Sequence, residues 1–176
     1  MSIVAFRPSG AGAAIELGPV EHGVLVQLTE DLAGLLDDGA GRPRGTDAVL
    51  DRLFPDAYPD DPGASAEFRH LTSDELESGK RADLAVVRAA LLSAADHDDE
   101  LITLDRAESL SWLRSLTDLR LALAVRLGFD TEMPAAPDTD ADSEVEPEEG
   151  GIDPAFRTLY DWLGFLQDTL VEAIDR

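Results

Sequence analysis

The side chains with the greatest capacity for chemistry form an acidic run around a histidine at positions 95–100, with the sequence ADHDDE. His97 and the neighbouring carboxylates are side chains that commonly bind divalent metal ions. Consecutive residues point in different directions, however, and the run matches neither H-E-x-x-H nor the spacing of a calcium loop. The pattern therefore favours a solvated acidic turn, and the sequence predicts no metal site.

Two glycines near the N-terminus, Gly10 and Gly12, follow a candidate strand, which is where a phosphate-binding loop would lie. Neither GxGxxG nor GxxxxGK is present, so a hairpin turn is the better interpretation. The chain also lacks a GxSxG motif, a serine–histidine–aspartate order, a paired-carboxylate motif and any cysteine. The sequence thus predicts a protein that is not an enzyme and carries no cofactor.

Composition and charge narrow the classes of partner. The chain has 176 residues, an apolar fraction of 44% and a formal net charge of −23. This length and apolar content suit a single domain spanning residues 1–176, while the negative charge repels nucleic acid and anionic membranes. Residues 1–6 lack the features of a secretory signal, and no apolar run is long enough to cross a membrane. We therefore expect a cytoplasmic protein with no membrane contact.

Three charged residues on the most strongly periodic segment, residues 105–127, are the candidate site residues. Arg114, Asp118 and Arg120 lie beside its apolar stripe, and a charge close to a core requires a partner. Arg114 and Asp118 are four residues apart, so they can pair on a helix surface. A structural ion pair that joins this helix to its neighbours is the commoner use of such residues, and a partner-binding role is the alternative.

The segment that carries these charges predicts a central helix. Asp105 and Glu108 form a capping box at its start, and Gly128 suits the left-handed residue at its end. Apolar residues repeat at helical spacing around more than one face, which indicates packing on several sides. They are Leu110, Trp112, Leu113, Leu116, Leu119, Leu121, Leu123, Ala124, Val125 and Leu127.

Short strands are predicted at residues 3–7, 13–17 and 101–104, the last returning to the hairpin formed by the first two. Phe6, Ile15 and Leu17 would supply the inner face of this sheet. The expected fold class is mainly α (α+β): a helical bundle around a central helix, with a small N-terminal β-hairpin or three-stranded sheet.

Four more helices are predicted around the central one: from Pro19, across residues 47–54, from Thr72 toward Ala95, and from Pro154 onwards. The first is expected to bury Val20, Val24, Leu28, Leu32 and Leu35. Thr72 and Glu75 form a capping box for the third, and Gly79 weakens or splits it. Before it, prolines at positions 55, 59 and 62 predict a turn-rich loop, with Phe68 and Leu71 following as an apolar anchor.

Residues 130–151 differ in character from the rest of the chain. They contain nine carboxylates, three prolines, no basic residue and almost no large apolar side chain. Such a stretch cannot bury enough surface to offset the entropy of ordering. We predict an acidic disordered loop within the domain.

Four segments give the chain a family resemblance over nearly its whole length: DRLFPDAYPDDP, AEFRHLTSDEL, WLRSLTDLRLALAVRLG and LYDWLGFLQDTL. Their order and content resemble the successive blocks of a small actinobacterial family, long known as a domain of unknown function and described as oxidative-stress regulators of the AosR type. The resemblance implies a transcription-related role through contact with an extracytoplasmic-function sigma factor.

Two features depart from the family pattern. Thr117 stands where an asparagine is expected before Asp118 and Arg120. The characterised branch of the family is described as sensing oxidants through a cysteine pair, and this chain has no cysteine. The family's role therefore remains an expectation for this chain, whereas thiol-based sensing does not carry over.

Three functions compete on these observations. The first is a regulatory module that binds a protein partner such as a sigma factor, with a protein-quality-control adaptor as a variant of the same class. The second is a direct DNA-binding regulator, which would need Arg114, Arg120 and Arg126 on the central helix to be exposed. The third is an enzyme. Charge and motifs favour the first, and a homodimer remains open.

Overall fold

The computed structural model describes five helices, three strands and their short connections. The described residues are 4–39, 45–58, 60–96, 101–128 and 154–175. Their elements are β1 (Arg7–Ser9), β2 (Gly12–Glu16), α1 (Pro19–Gly39), α2 (Ala48–Leu53), α3 (Pro62–Asp96), β3 (Leu101–Leu104), α4 (Arg106–Arg126) and α5 (Pro154–Ile174). The predicted class, a mainly helical fold with a small N-terminal sheet, is confirmed.

Helix α4 is the centre of the bundle, packing against α2, α3, α5 and the sheet. Its buried apolar side chains are Trp112, Leu116, Leu119 and Leu123. Trp112 meets the ring of Phe6 edge-on, with 5.7 Å between the ring centroids. The predicted capping box is present, because Asp105 and Glu108 each accept the other's backbone N–H at 2.8 Å. Gly128 has a φ of 71°, the left-handed conformation expected at this end.

The three strands form an antiparallel sheet in the order β1–β2–β3, which packs against α4 and α5. The predicted third strand is confirmed as β3, whereas β1 begins at Arg7 rather than at residue 3. The reason lies in the hydrogen bond that the Phe6 N–H donates to Thr169 Oγ1 of α5, at 3.2 Å. This bond attaches the chain before Arg7 to a helix instead of to the sheet.

Helix α3 begins at Pro62, and the predicted start at Thr72 is wrong. The Asp61 carboxylate accepts the Ala64 N–H at 3.0 Å, and proline suits the first turn because no backbone partner is needed there. Thr72 lies inside the helix, where its hydroxyl donates to the Phe68 carbonyl at 2.8 Å. The cap is thus supplied by the Asp–Pro pair and not by threonine.

The length of α3 sets it apart from its neighbours, because it continues through Gly79 to its end without a break. Its 35 residues span about 52 Å, whereas α1, α4 and α5 have 21 residues each. The second half buries Leu84, Val87 and Leu91 in the core. Before residue 80 its one buried residue is Ser65, so the first half of α3 overhangs the bundle.

Two predicted apolar contacts are absent from the core. Val20 is 74% exposed, whereas Leu32 is buried as predicted. The other buried residues of α1 are Leu25, Thr29 and Leu36. Thr29 can enter the core because its hydroxyl donates to the Leu25 carbonyl at 2.9 Å, so no polar atom is left unpaired there. Leu71, which was expected to anchor a loop, is also 74% exposed because it lies on the overhanging half of α3.

The acidic loop predicted at residues 130–151 and residues 97–100 of the histidine-containing run lie outside the described ranges, while Ala95 and Asp96 of that run end α3. For the helices that are described, none is both long and apolar enough to cross a membrane.

Two glycine-to-alanine substitutions test the register of the sheet and the continuity of α3. A Cβ at Gly12 would lie 2.1 Å from the Leu104 carbonyl oxygen, so Gly12→Ala should separate β2 from β3 and destabilise the protein by about 2 kcal/mol or more. Nothing lies within 4 Å of a Cβ at Gly79, so Gly79→Ala should stabilise the helix by about 0.5–1 kcal/mol. Urea unfolding of the full chain measures both; a destabilising Gly79→Ala would argue against an uninterrupted α3.

Candidate functional site

The interface between α3 and α4 contains two ion pairs, and both use residues that the sequence identified. Asp118 on α4 is 7% exposed, and its Oδ1 lies 2.6 Å from Nζ of Lys80 on α3. Lys80 is the only lysine in the sequence. Its ammonium also lies 5.7 Å from the centre of the Phe54 ring, within the range of a cation–π contact. Asp118 can remain charged in this position because Lys80 supplies its counter-ion.

Arg114 forms the second pair, one helical turn before Asp118. Its Nε and Nη2 lie 2.6 and 2.9 Å from the two carboxylate oxygens of Asp83 on α3, a two-pronged geometry that is strong and directional. The pair between Arg114 and Asp118 that their spacing allows is not formed, and both residues instead make the ion pairs to a neighbouring helix that were the favoured interpretation. Both side chains extend to α3, where Asp118 meets the opposite charge of Lys80 and Arg114 meets that of Asp83.

Arg120 points to the other side of α4, toward α5. Its Nη1 donates to Gln167 Oε1 at 2.8 Å, and its guanidinium lies 4.7 Å from the centre of the Tyr160 ring. The Gln167 amide donates in turn to Thr117 Oγ1 at 2.7 Å. A Cβ at Gly164 would lie 3.3 Å from Arg120 Cζ, so the glycine leaves room for the guanidinium. Thr117, which replaces the asparagine expected from the family pattern, still supplies an acceptor here.

The surroundings of the two carboxylates on this interface shift their pKa values in opposite directions. Burial raises the pKa of Asp118, and the hydrogen bond from Lys80 opposes this only in part. Burial also acts to raise the pKa of Asp83, but the hydrogen bonds from Arg114 and Ser111 outweigh it and lower that pKa. The pairing with Asp83 raises the pKa of Arg114. These groups hold α3 against α4, and Asp118 has little surface open to a substrate.

An open groove of about 760 Å³ lies between α2, the first half of α3 and residues 54–57, with the end of α1 at one side. We call it the α2–α3 groove. Phe68 and Leu76 of α3 are 39% and 50% exposed within it. Its apolar lining consists of Leu36, Leu50, Leu53, Phe54, Pro55, Ala57, Phe68 and Leu76.

The charged lining of the α2–α3 groove is mostly acidic. Among the lining residues that the structure describes, the two cations are both paired, Arg69 with Asp56 and Lys80 with Asp118. Lys80 therefore belongs both to the groove and to the buried interface beneath it. The acidic residues of the lining are Asp47, Asp51, Asp56, Asp74 and Glu77.

The charged residues of α4 are predictable from the sequence, whereas the α2–α3 groove is not among the predicted features. The available signal was the Asp61–Pro62 pair, since the same Asp–Pro pair at residues 153 and 154 predicted the start of α5. Applied to α3, it would have extended the helix back to Pro62. Phe68 and Leu76 would then have fallen eight residues apart on one helical face.

Fold and site together define a mainly helical protein whose inner charged residues join helices and whose open groove is apolar and acidic. Across the described ranges, no group of three or more histidine, cysteine, aspartate or glutamate side chains is placed to hold a metal ion. The chain belongs to the family DUF2017, a domain of unknown function that matches residues 3–174. No solved structure matches it.

The chain is similar to mycobacterial proteins named for oxidative stress, which confirms the resemblance drawn from its sequence blocks. It is 32% identical over 158 residues to a Mycobacterium leprae protein with the provisional name oxidative stress regulator AosR. It is 30% identical over 155 residues to the oxidative stress regulator AosR of Mycobacterium bovis and of Mycobacterium tuberculosis. The alignments cover 82% and 81% of this chain but only 65% and 64% of the relatives, which are longer.

Replacing Lys80 by methionine should destabilise the protein by about 2 kcal/mol or more at neutral pH, because Asp118 would be ionised and buried without its counter-ion. Burial already raises the pKa of Asp118, and losing Lys80 raises it further. For a carboxyl group with a raised pKa in the folded state, stability is lost as the pH rises through that pKa and is regained as it falls. The deficit should therefore shrink in mildly acidic buffer, as measured by urea unfolding against wild type at both pH values.

Arg7→Met provides the matched control for Lys80→Met, because the pair between Arg7 and Glu16 is exposed on both sides. It should change stability by only a few tenths of a kcal/mol, equally at both pH values. Combining Lys80→Met with Asp118→Leu should restore most of the lost stability, since no buried charge remains. A deficit in Lys80→Met that is the same at neutral and acidic pH would contradict the role assigned to Asp118.

Proposed function

We propose that this chain is a non-enzymatic regulatory protein that acts by direct contact with a protein partner. The α2–α3 groove carries the proposal, because it exposes Phe68 and Leu76 among carboxylates. Exposed apolar surface with a polar rim is typical of sites that bind other proteins.

The use of the charged residues supports binding over catalysis. A general acid or base must reach the substrate, yet Asp118 is 7% exposed and engaged by Lys80. Arg114 and Asp83 likewise satisfy each other across the α3–α4 interface. The perturbed pKa values arise from the burial of Asp118 and from the pairing of Asp83 with Arg114, both at the interface between α3 and α4, which is a structural origin rather than a catalytic one.

The relatives named oxidative stress regulators support the regulatory part of the proposal. We extend it to transcription, with an extracytoplasmic-function sigma factor as the partner and the cytoplasm as the place of action. A sigma factor approaches DNA phosphates, so part of its surface is basic. An acidic groove on a chain with a net charge of −23 complements such a surface.

Two alternative functions, a direct DNA-binding regulator and a protein-quality-control adaptor, make different demands on the charge of the binding surface. A direct DNA-binding regulator needs a stripe of free cations on α4, but Arg114 is held by Asp83 and Arg120 by Gln167. Arg126 is exposed, and one arginine does not make a basic stripe. A quality-control adaptor would use the apolar lining of the same groove for unfolded segments, and the charge of its client would matter little. Selectivity for basic partners therefore separates the regulator from the adaptor.

The full chain should bind a purified extracytoplasmic-function sigma factor of its source bacterium with micromolar or tighter affinity, because the charges of the two surfaces are complementary. It should not bind promoter DNA specifically at near-physiological salt, since the like charges repel. Fluorescence anisotropy titrations against each sigma factor and against promoter fragments measure both. Salt-resistant, sequence-selective binding of DNA without binding of any sigma factor would overturn the proposal.

Peroxide treatment of this chain should leave its affinity for the sigma factor unchanged, because a chain without cysteine cannot form a disulfide switch. Its oxidisable sulfurs are Met1 and Met133, both outside the described residues. The titration compares peroxide-treated with dithiothreitol-treated protein, with the sigma factor reduced in both samples. A several-fold change in affinity would show that another group of this chain responds to oxidants.

A further inference from the structure

The walls of the α2–α3 groove restrict the backbone conformation that a partner can use there. They consist of α2, the first half of α3, the end of α1 and residues 54–57. The three strands lie in the sheet on α4 and α5, and none lines the groove. Because the backbone of a helix is already hydrogen-bonded internally, the three helical walls offer no edge to which a partner could add a strand. These walls are recognised through their side chains, as when an amphipathic helix enters a groove between helices.

The apolar lining provides the surface for one face of such a helix. Phe68 and Leu76 occupy one face of α3 and remain 39% and 50% exposed. Leu50 and Phe54 line the groove from the side of α2. The two rows leave open apolar surface between them, which the row of apolar residues on a partner helix would cover.

The charges of the groove lining favour basic residues on both sides of the apolar row of the partner helix. Among the described residues of the lining are five carboxylates, of which Asp56 is paired with Arg69 and Glu77 with Arg81, while Lys80 is paired with Asp118. A second copy of this chain, with its net charge of −23, would bring more negative charge against this surface. A nucleic acid would do the same. Arginine or lysine on both sides of an apolar row is the arrangement that fits.

We propose that the α2–α3 groove is the docking site for a cationic amphipathic helix of the partner, with its apolar row against Phe68 and Leu76 and its basic flanks beside the acidic lining. This inference rests on the proposed function, because it names the site and the partner element through which the protein contact is made.

A synthetic helix of about 18 residues, or five turns, is the probe. It carries leucine at helical spacing along one face and lysine or arginine on both flanks, with a fluorescent label for anisotropy. A second peptide has glutamate in place of every basic residue. The full chain should bind the basic peptide with micromolar affinity that weakens as salt rises, and should not bind the acidic peptide.

Two groove variants and two matched controls locate the binding site. Leu76→Gln and Asp74→Lys change exposed lining residues, and each should weaken binding of the basic peptide about tenfold. Leu92→Gln changes a leucine of the same helix that is 55% exposed outside the groove, and Glu172→Lys adds a positive charge on α5. Both controls should bind as wild type does. Circular dichroism melting checks that all four variants remain folded.

Three results would overturn the inference: no binding of the basic peptide, equal loss in Leu92→Gln and Leu76→Gln, or sedimentation showing a dimer that Leu76→Gln dissociates. The last would assign the groove to a second copy of this chain. The same variants separate this inference from the proposed function. If a sigma factor binds wild type and Leu76→Gln equally, the groove is not the docking site, but the proposed function stands. If the basic peptide binds in the groove and no sigma factor binds the chain, the groove is a helix-binding site, but the proposed sigma-factor partner is wrong.

Discussion

The ion pair between Lys80 and Asp118 fixes the point at which the long helix α3 leaves the bundle. Asp118 is 7% exposed and lies 2.6 Å from the ammonium, so any slide or rotation of α3 along α4 would leave a buried carboxylate unpaired. On the C-terminal side of Lys80, α3 buries Leu84, Val87 and Leu91. On the N-terminal side only Ser65 is buried. The overhang, and with it the α2–α3 groove, depends on this contact.

The polar residues of α4 follow from its central position. A helix that packs on several sides has no wide solvated face, so charges at the edges of its apolar surface must find partners on neighbouring helices. Arg114 and Asp118 do so on α3, and Arg120 does so on α5. Lys80 connects this interior to the groove, since it touches the Phe54 ring and pairs with Asp118. Any partner that moved α3 would therefore strain a buried charge.

The sequence predicted the elements whose causes are local and missed those whose causes are distant. The capping box at Asp105 and the left-handed Gly128 depend on neighbouring residues, and both are confirmed. The start of α3 is also set locally, because Pro62 follows Asp61 and opens a helix, although it is one of three prolines that predict a turn-rich loop. The partner of Asp118 was beyond reach, because Lys80 lies 38 residues away and only tertiary packing brings the two together.

The chain has a net charge of −23, and several of its few cations are paired with its own carboxylates, so its charge favours basic partners. Lys80, Arg69 and Arg114 are paired with carboxylates of the chain itself, so they are withdrawn from any phosphate backbone. In the proposed docking, the carboxylates of the groove lining would attract a basic partner over distance, and the apolar lining would set how long the partner stays. None of these interactions involves a thiol. The proposed partner recognition therefore needs no cysteine, the residue that this chain lacks.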